Sequence, residues 1–437
     1  MDKIHKAVLF ILGGIASCSS VSAATDTAID GVDLTNGGDS QAVDLIDTQI
    51  TDGVVESTAV TGDDLENTLN GACAPSRTLA LPDFCSEFVL GGTTSFAAAL
   101  AAMSPDQLGA QAHYSNTISA SQRKGIKTRL RKLRVDNDRA SSSGVRISGG
   151  AASAEALLGK GLAVFGTFQY NDGDRDKTSA EEAYDWSATS LSLGGDYRIK
   201  NNFIVGGIVG ISNNDTSFAS NRGSMDAESL SLAAYGSYYG AKGYLDWMLT
   251  YGDFDYTTSR HVLFLAVDTT TVGVSEGDQW GLNLSGGTDF FVGDKTVSPY
   301  LGFAYVDTSI DSYTEQGGGS YSYIVAGQDT ISSVSNVGVR ISQAKSYPWG
   351  VLSPSAHLEW LHEFRSDART INSSFAIDPS LAFNSSTDDP DRSYFNVGVA
   401  VSATMPGGRS AFLSVSSVLK QQHVSNVVVS LGARAEF

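Results

Sequence analysis

No stretch of this 437-residue chain reaches the roughly 18 uninterrupted apolar residues that a membrane-spanning helix needs. A bilayer crossing, if there is one, must therefore be made of strands closed into a barrel. Positive charge is also scarce: 29 Lys and Arg stand against 48 Asp and Glu, a formal net charge of −19. That balance excludes bulk electrostatic attraction to nucleic acid, and no nucleic-acid partner is expected. Cysteine is limited to Cys18, Cys73 and Cys85, and without further Cys or nearby His they make no zinc-type ligand set. Residues 24–70 contain no Lys or Arg, but eleven acidic side chains: Asp26, Asp30, Asp33, Asp39, Asp44, Asp47, Asp52, Glu56, Asp63, Asp64 and Glu66. Charge of one sign with few aromatics leaves little to build a core from, so this segment reads as solvated and largely disordered or weakly β-structured.

The chain begins with Lys3 and Lys6 ahead of the short apolar run Ala7–Ala16, and Val21-Ser22-Ala23 fits a signal-peptidase site before Ala24. Residues 1–23 are expected to be a cleavable export signal. Ile15-Ala16-Ser17-Cys18 also resembles a lipoprotein cleavage box with Cys18 as the lipid-bearing residue, so both modes of cleavage stay open. Ordinary cleavage discards Asp2, Lys3 and Lys6, a net +1, which takes −19 to about −20. In the oxidising compartment that export implies, Cys73 and Cys85 are expected to pair in a small disulfide loop.

From Phe96 to about Arg134 the pattern turns helical. Ser104 followed by Pro105, Asp106 and Gln107 has the order of an N-cap, an N1 proline and an acidic first turn. Arg123, Lys124, Lys127, Arg129, Arg131, Lys132 and Arg134 crowd what reads as the C-terminal part, where a helix dipole favours cations. Ile126, Leu130 and Leu133 recur among them at helical spacing. A solvated basic helix accounts for these residues as well as any functional reading does.

Beyond Leu162 the period changes to two. Leu245, Trp247, Leu249 and Tyr251 alternate with Tyr244, Asp246, Met248 and Thr250. The chain's end does the same: Val427, Val429, Leu431, Ala433, Ala435 and Phe437 share one face, opposite Asn426, Ser430, Gly432, Arg434 and Glu436, with Val428 out of pattern. Twelve candidate strands follow, at 162–170, 184–198, 203–218, 225–239, 243–258, 274–291, 297–313, 321–342, 351–365, 392–404, 409–421 and 424–437. The even-numbered joins are short, such as Gly240–Gly243 and Met405–Gly408, and the odd-numbered ones longer and polar, such as Asn171–Ala183 and Ser366–Asp391. Short turns on one rim and long loops on the other suit an outer-membrane barrel. Aromatics including Trp186, Tyr197, Phe203, Tyr239, Tyr244, Tyr256, Tyr300, Tyr313, Tyr347 and Trp349 lie near strand ends. An interfacial girdle and ordinary strand composition explain them equally well.

In that order, the Leu100–Met103-Ser104-Pro105-Asp106-Gln107 helix start, the Arg129-Leu130-Arg131-Lys132-Leu133-Arg134 stretch, the twelve strands, Pro354 before His362-Glu363-Phe364, and terminal Phe437 resemble the autotransporter β-domain family, the translocators of type V secretion. The resemblance covers roughly residues 100–437. It implies a twelve-stranded antiparallel outer-membrane barrel whose preceding helix threads and plugs the lumen, while the N-terminal passenger emerges at the cell surface. The division expected from it is 1–23 signal, 24–95 short acidic passenger-like segment, 96–140 helical plug and 155–437 barrel. It implies contact with outer-membrane lipid and with the barrel-assembly machinery through Phe437, for a monomeric barrel without cofactor. The helix cations Arg123, Lys127, Arg129, Arg131 and Arg134 would meet lumen carboxylates, for which Asp196, Asp246, Glu359, Glu363 and Glu436 are the inward candidates. Two departures stand out. Residues 24–95 are too few for a stacked-repeat passenger. The Asn-Asn pair of self-cleaving members is missing, with Asn137 between Asp136 and Asp138, so an uncleaved chain is expected.

Enzyme readings are weak. Gly38-Asp39-Ser40 matches only three residues of an esterase block in a segment too short to supply the rest of a triad. His357 and His362 lie on opposite faces of one strand, which rules out a shared metal. A porin-like channel or plain surface adhesin is the principal alternative to a translocator, with an outer-membrane esterase or phospholipase behind it. Deleting Phe437 is expected to reduce the heat-modifiable, folded barrel in outer-membrane fractions while synthesis and export continue; normal folded protein in the deletion would refute the assembly role.

Overall fold

The computed structural model describes residues 65, 67–69, 102–143 and 162–436, apart from 179, 200–201, 241–242 and 265–266. The signal segment, Cys73, Cys85, Gly38-Asp39-Ser40 and Phe437 lie outside the described residues.

Twelve antiparallel staves form the main sheet: β1 Leu162–Arg175, β2 Tyr184–Ile199, β3 Phe203–Phe218, β4 Gly223–Gly240, β5 Gly243–Phe264, β6 Val267–Gly287, β7 Lys295–Ile310, β8 Gln328–Gln343, β9 Gly350–Glu363, β10 Ser393–Met405, β11 Arg409–Leu419 and β12 Val424–Glu436. Each pairs with its neighbours in sequence, and β1 also pairs with β12, from Ala163 against Glu436 to Arg175 against Val424. The sheet is thus a closed barrel without a free edge, the condition for strands to cross a bilayer. Phe290–Val292 and Lys345–Tyr347 add short hairpin ends to β7 and β9 at the short-turn rim.

Register turns the two-residue period into two concentric surfaces. Leu413, Leu431, Phe168, Leu191, Ile211 and Leu230 are successive cross-strand partners on β11, β12, β1, β2, β3 and β4, and Leu431 and Leu191 are 53% and 45% exposed. The adjacent row, Ser414, Ser430, Gln169, Ser190, Ser212 and Ser229, is polar throughout; Ser430 and Ser212 are 6% and 3% exposed. Apolar outside and polar inside is the inverse of a water-soluble fold and matches a barrel with lipid around it.

The lumen holds helix α1, Gly109–Ser143, entered through a single 3-10 turn at Asp106–Leu108. Two expectations about this helix fail. Pro105, not Ser104, stands at the N-cap position, with no side-chain cap bond; Ser104 is 1% exposed and its hydroxyl has no hydrogen-bond partner, because it follows Met103 into an apolar cluster. The helix also runs nine residues past Arg134 and has no basic residue in its last turn, so the dipole does not account for the cations.

Above the long-loop rim, a separate four-stranded sheet is built from Tyr313–Thr314, Tyr323–Val325, Thr370–Phe375 and Asp378–Ser386. The expected strand at 321–342 therefore divides, its first part joining this cap and its remainder the barrel. The fifth join shrinks to 265–266, because 259–264 and 267–273 continue the β5–β6 ladder, where β-branched Thr269, Thr270, Thr271 and Val272 favour strand despite their polarity. Of the aromatics near strand ends, Tyr197, Tyr347 and Trp349 are exposed, whereas Trp186, Tyr239, Tyr256 and Tyr313 are buried; a girdle describes only the former.

Leu431→Arg, at the centre of the outer face of β12, is expected to destabilise the folded barrel by about 2–4 kcal/mol. Urea titration of protein refolded in lipid vesicles measures this, and a loss below about 1 kcal/mol would place Leu431 outside the bilayer.

Candidate functional site: the occupied lumen

The helix docks through one stripe at three- to four-residue spacing. Gln107 Nε2 donates to Arg222 O at 2.6 Å and Gln111 Nε2 to Ser275 Oγ at 3.2 Å. Ser115 Oγ and Tyr256 Oη share a hydrogen bond at 2.5 Å. Ser119 Oγ donates to Gln279 Oε1, and Gln122 Nε2 to Ser231 Oγ, which donates onward to Gly210 O at 3.1 Å. Further down, Ile126 and Leu130 pack with Phe165, Ile204, Tyr235 and Met248. Each group in this stripe is polar and hydrogen-bonded, or apolar against an apolar patch of wall, and all but the half-buried Gln122 are buried, so the lumen receives the helix without leaving these side chains unpaired. Small residues assist: Ala110 and Ala112 are buried beside Tyr114, whose ring meets Phe254 edge-on at 6.0 Å.

The stripe fixes direction. Gln107 and Gln111 lie level with the upper ends of β4, β5 and β6, near the long loops, while Ile126 and Leu130 reach the residues beside the short turns, Ile204 and Tyr239 among them. The chain therefore enters the lumen from the long-loop rim and runs down it. Strand β12 ends at the opposite rim, where Glu436 N–H donates to Gly408 O at 3.1 Å in the turn between β10 and β11.

The stripe holds the helix against the β4–β7 wall. Along the other wall lies a cavity of about 850 Å³, lined among others by Arg123, Lys127, Arg340, Glu359, Glu363 and Tyr394. Here expected charges gather: Arg123 lies in the field of Glu359 and Glu363, and Lys127 in that of Glu359 and of the like-charged Arg123 and Arg340, while Asp246 acts on Lys127 from β5, on the wall that receives the helix. Glu363 is 7% exposed and accepts hydrogen bonds from Ser332 Oγ at 2.6 Å and Ser333 N–H at 2.8 Å. Asp246 accepts from Ser237 Oγ at 2.6 Å, and Asp196 from Tyr235 Oη at 3.1 Å. Glu436 is drawn elsewhere, to Arg434 Nη2 at 2.7 Å on its own strand. The side chains of Arg129, Arg131 and Arg134 lie outside the described residues.

At the mouth, Arg175 of β1 joins the first and ninth loops: its guanidinium pairs with Glu181 at 3.0 Å and with Asp388. Thr178 Oγ1 donates to the same Asp388 carboxylate at 2.7 Å, and Asp388 N–H donates to Glu181 Oε1 at 3.1 Å. Burial is the dominant influence on the Glu181 carboxyl and raises its pKa in spite of Arg175.

Reading cations alone overlooked the polar stripe, although its signal is present as Gln107, Gln111, Ser115, Ser119 and Gln122 at helical intervals. The two histidines of β9 part as their faces require. His357 Nε2 meets Asn396 Oδ1 at 3.1 Å within the wall, and His362 Nδ1 meets Ser393 Oγ at 2.9 Å on the outer face, between Trp360 and Phe364. Among the described residues no carboxylate completes the His362–Ser393 pair into a triad, and the strand backbone around it is committed to the sheet.

The comparisons with known proteins agree with this geometry. The autotransporter β-domain family model matches residues 164–416. The translocator domain of the autotransporter NalP from Neisseria meningitidis superposes with a TM-score of 0.52 at 17% identity, covering 73% of this chain and 98% of that one, a likeness of fold. A curated relative, Lipase 1 of Photorhabdus luminescens, is 26% identical over 252 residues, 57% of this chain and 38% of that protein. The chain thus spans well under half the length of the relative it matches. The matched region is a translocator barrel of the outer-membrane type, not a catalytic domain. With more than half of its length matched by the family model and a helix-filled barrel of twelve staves, the chain belongs to the autotransporter β-domain family.

Proposed function

We propose that this translocator displays its own short acidic N-terminal segment at the cell surface and keeps it attached. The reading rests on the direction of α1: the chain enters the lumen at the long-loop rim while the C-terminal strand ends at the other rim. A barrel that inserts with its short turns and C-terminus on the periplasmic side would then hold everything N-terminal to Gln107 outside. Export through residues 1–23, insertion by the assembly machinery through Phe437 and a monomeric barrel in outer-membrane lipid belong to the same reading. So does an uncleaved chain, with Asn137 lacking an Asn neighbour, and so does the absence of an enzyme activity of its own. The lipase name belongs to the Photorhabdus relative, of whose length 38% is matched here.

Within the reading, α1 is the plug. Hydrogen bonds hold one side of it, and on the other Arg123 and Lys127 line the cavity together with Glu359 and Glu363. Opposite charges across a partly wet lumen attract and narrow the passage to ions. The Arg123→Glu, Lys127→Glu double variant should therefore raise single-channel conductance in planar bilayers several-fold, and unchanged conductance would contradict the plug.

An epitope tag inserted beside Asp44 is expected to bind antibody on intact cells. Binding only after the outer membrane is opened would overturn display and favour a channel with a periplasmic tail.

A further inference from the structure

The cap above the long-loop rim has an apolar interior that is unusual for a segment lying outside the bilayer. Tyr313, Tyr323, Val325, Ile371, Phe375, Leu381 and Phe383 are buried in it together with Val262 and Phe264 of the tall β5–β6 hairpin. Tyr323 meets Phe375 at 5.1 Å and Phe383 at 5.0 Å between ring centroids. The platform is pinned from below by Arg260, which is 2% exposed. Its Nε donates to Glu315 Oε1 at 3.0 Å and its Nη2 to Glu315 Oε2 at 2.5 Å and to Tyr321 O at 2.7 Å, and its guanidinium carbon lies 4.0 Å from the Tyr323 ring centroid. Tyr323 N–H closes the network on Glu315 Oε2 at 2.9 Å. A bidentate pair covered by an aromatic face, its carboxylate also bonded by a backbone N–H, makes a rigid base.

Two separate pieces of the N-terminal chain lie in this platform. Met103 is fully buried there and its carbonyl accepts from Tyr323 Oη at 2.6 Å, which ties the chain where it enters the lumen. The second piece comes from the acidic segment itself. Leu65 and Leu69, one helical turn apart, are each 0% exposed within the same cluster, and Thr68 Oγ1 between them donates to Ala382 O at 2.7 Å. Leucines at i and i+4 with a polar anchor on the sheet are the recognition pattern of a short amphipathic turn in an apolar groove. In a stretch as acidic as 24–70, Leu65 and Leu69 are the side chains that reach the cap interior in the described structure.

We infer that the loop sheet is a docking site for the turn around Leu65–Leu69 of this same chain, a clamp that holds the displayed segment against the barrel mouth. The inference deepens the display reading: the segment is exported and then fastened. Tethering through α1 keeps the turn at high local concentration beside its groove, so two leucines and one hydrogen bond suffice to retain it. The clamp also explains why an outer loop region spends so many large side chains on an interior, since a barrel needs none of them to close.

Glutamyl endopeptidase separates the clamp from the display reading, because the purified, folded full chain in detergent micelles reports docking wherever the segment lies in the cell. Glu66 follows Leu65 directly in the chain, three residues before Leu69. The Leu65→Asp, Leu69→Asp double variant should be cut after Glu66 about tenfold faster or more than the unaltered chain, as expected when local order is lost. Phe383→Asp, in the same buried cluster, should do the same. The Leu45→Asp, Ile46→Asp variant, with the same charge change elsewhere in the segment, should leave the rate alone. Heat-modifiable migration confirms in each case that the barrel is folded. Equal cleavage after Glu66 in the unaltered chain and the Leu65→Asp, Leu69→Asp variant, or equal acceleration by the Leu45→Asp, Ile46→Asp control, overturns the clamp. Neither result depends on the antibody test of display.

Discussion

Everything in this structure depends on the pairing of β1 with β12. A strand in lipid has no water to satisfy its backbone, and an open edge would leave a row of N–H and C=O groups unpaired at several kcal/mol each. The ladder from Ala163–Glu436 to Arg175–Val424 removes that edge. Closure then dictates the rest. With an inside and an outside defined, alternation must place one residue in two against lipid and the other in the lumen, and the row Leu413–Leu431–Phe168–Leu191–Ile211–Leu230 runs through the seam without interruption. A one-residue slip at the seam would exchange that row with its serine-rich neighbour and expose hydroxyls to hydrocarbon.

Closure also creates a polar lumen that must be filled or left wet. The chain fills one side of it with its own helix, and the fit is chemical as well as steric: Gln111, Ser115, Ser119 and Gln122 meet Ser275, Tyr256, Gln279 and Ser231 in turn. The groups that bond the helix on the receiving wall are neutral, and the wall across the cavity carries Glu359 and Glu363 near Arg123. Neutral hydrogen bonds set the position at short range, and charge acts across the remaining gap. This division of labour places Arg123 and Lys127 in the lumen without asking them to carry the packing.

The staves were legible in the sequence because each is local and repeats every two residues; Phe203–Phe218 emerges with the bounds that alternation gives. Other features were hidden for physical reasons. Thr269–Val272 read as loop by polarity, although β-branching and the partners Ser259–Val262 make them strand. The cap sheet joins Tyr313–Thr314 to Asp378–Ser386 through segments too short to register alone, held by contacts far apart in sequence. Ser104 has the look of an N-cap, yet burial beside Met103 outweighs a capping bond. The polar stripe of α1 was present at its proper spacing, but a cluster of cations at the other end of the helix was the louder signal.

The central claim is that α1 lies inside a closed twelve-stave barrel along the β4–β7 wall. Cysteines at Ser119 and Gln279, whose side chains hydrogen-bond across the lumen, test it in isolated outer membranes under mild oxidation. The Ser119→Cys, Gln279→Cys chain should form an internal disulfide, seen as a mobility shift lost on reduction. The Ser119→Cys, Trp280→Cys chain should not, because Trp280 faces outward. Absence of the first crosslink, or equal yield from both pairs, would contradict the helix-filled lumen.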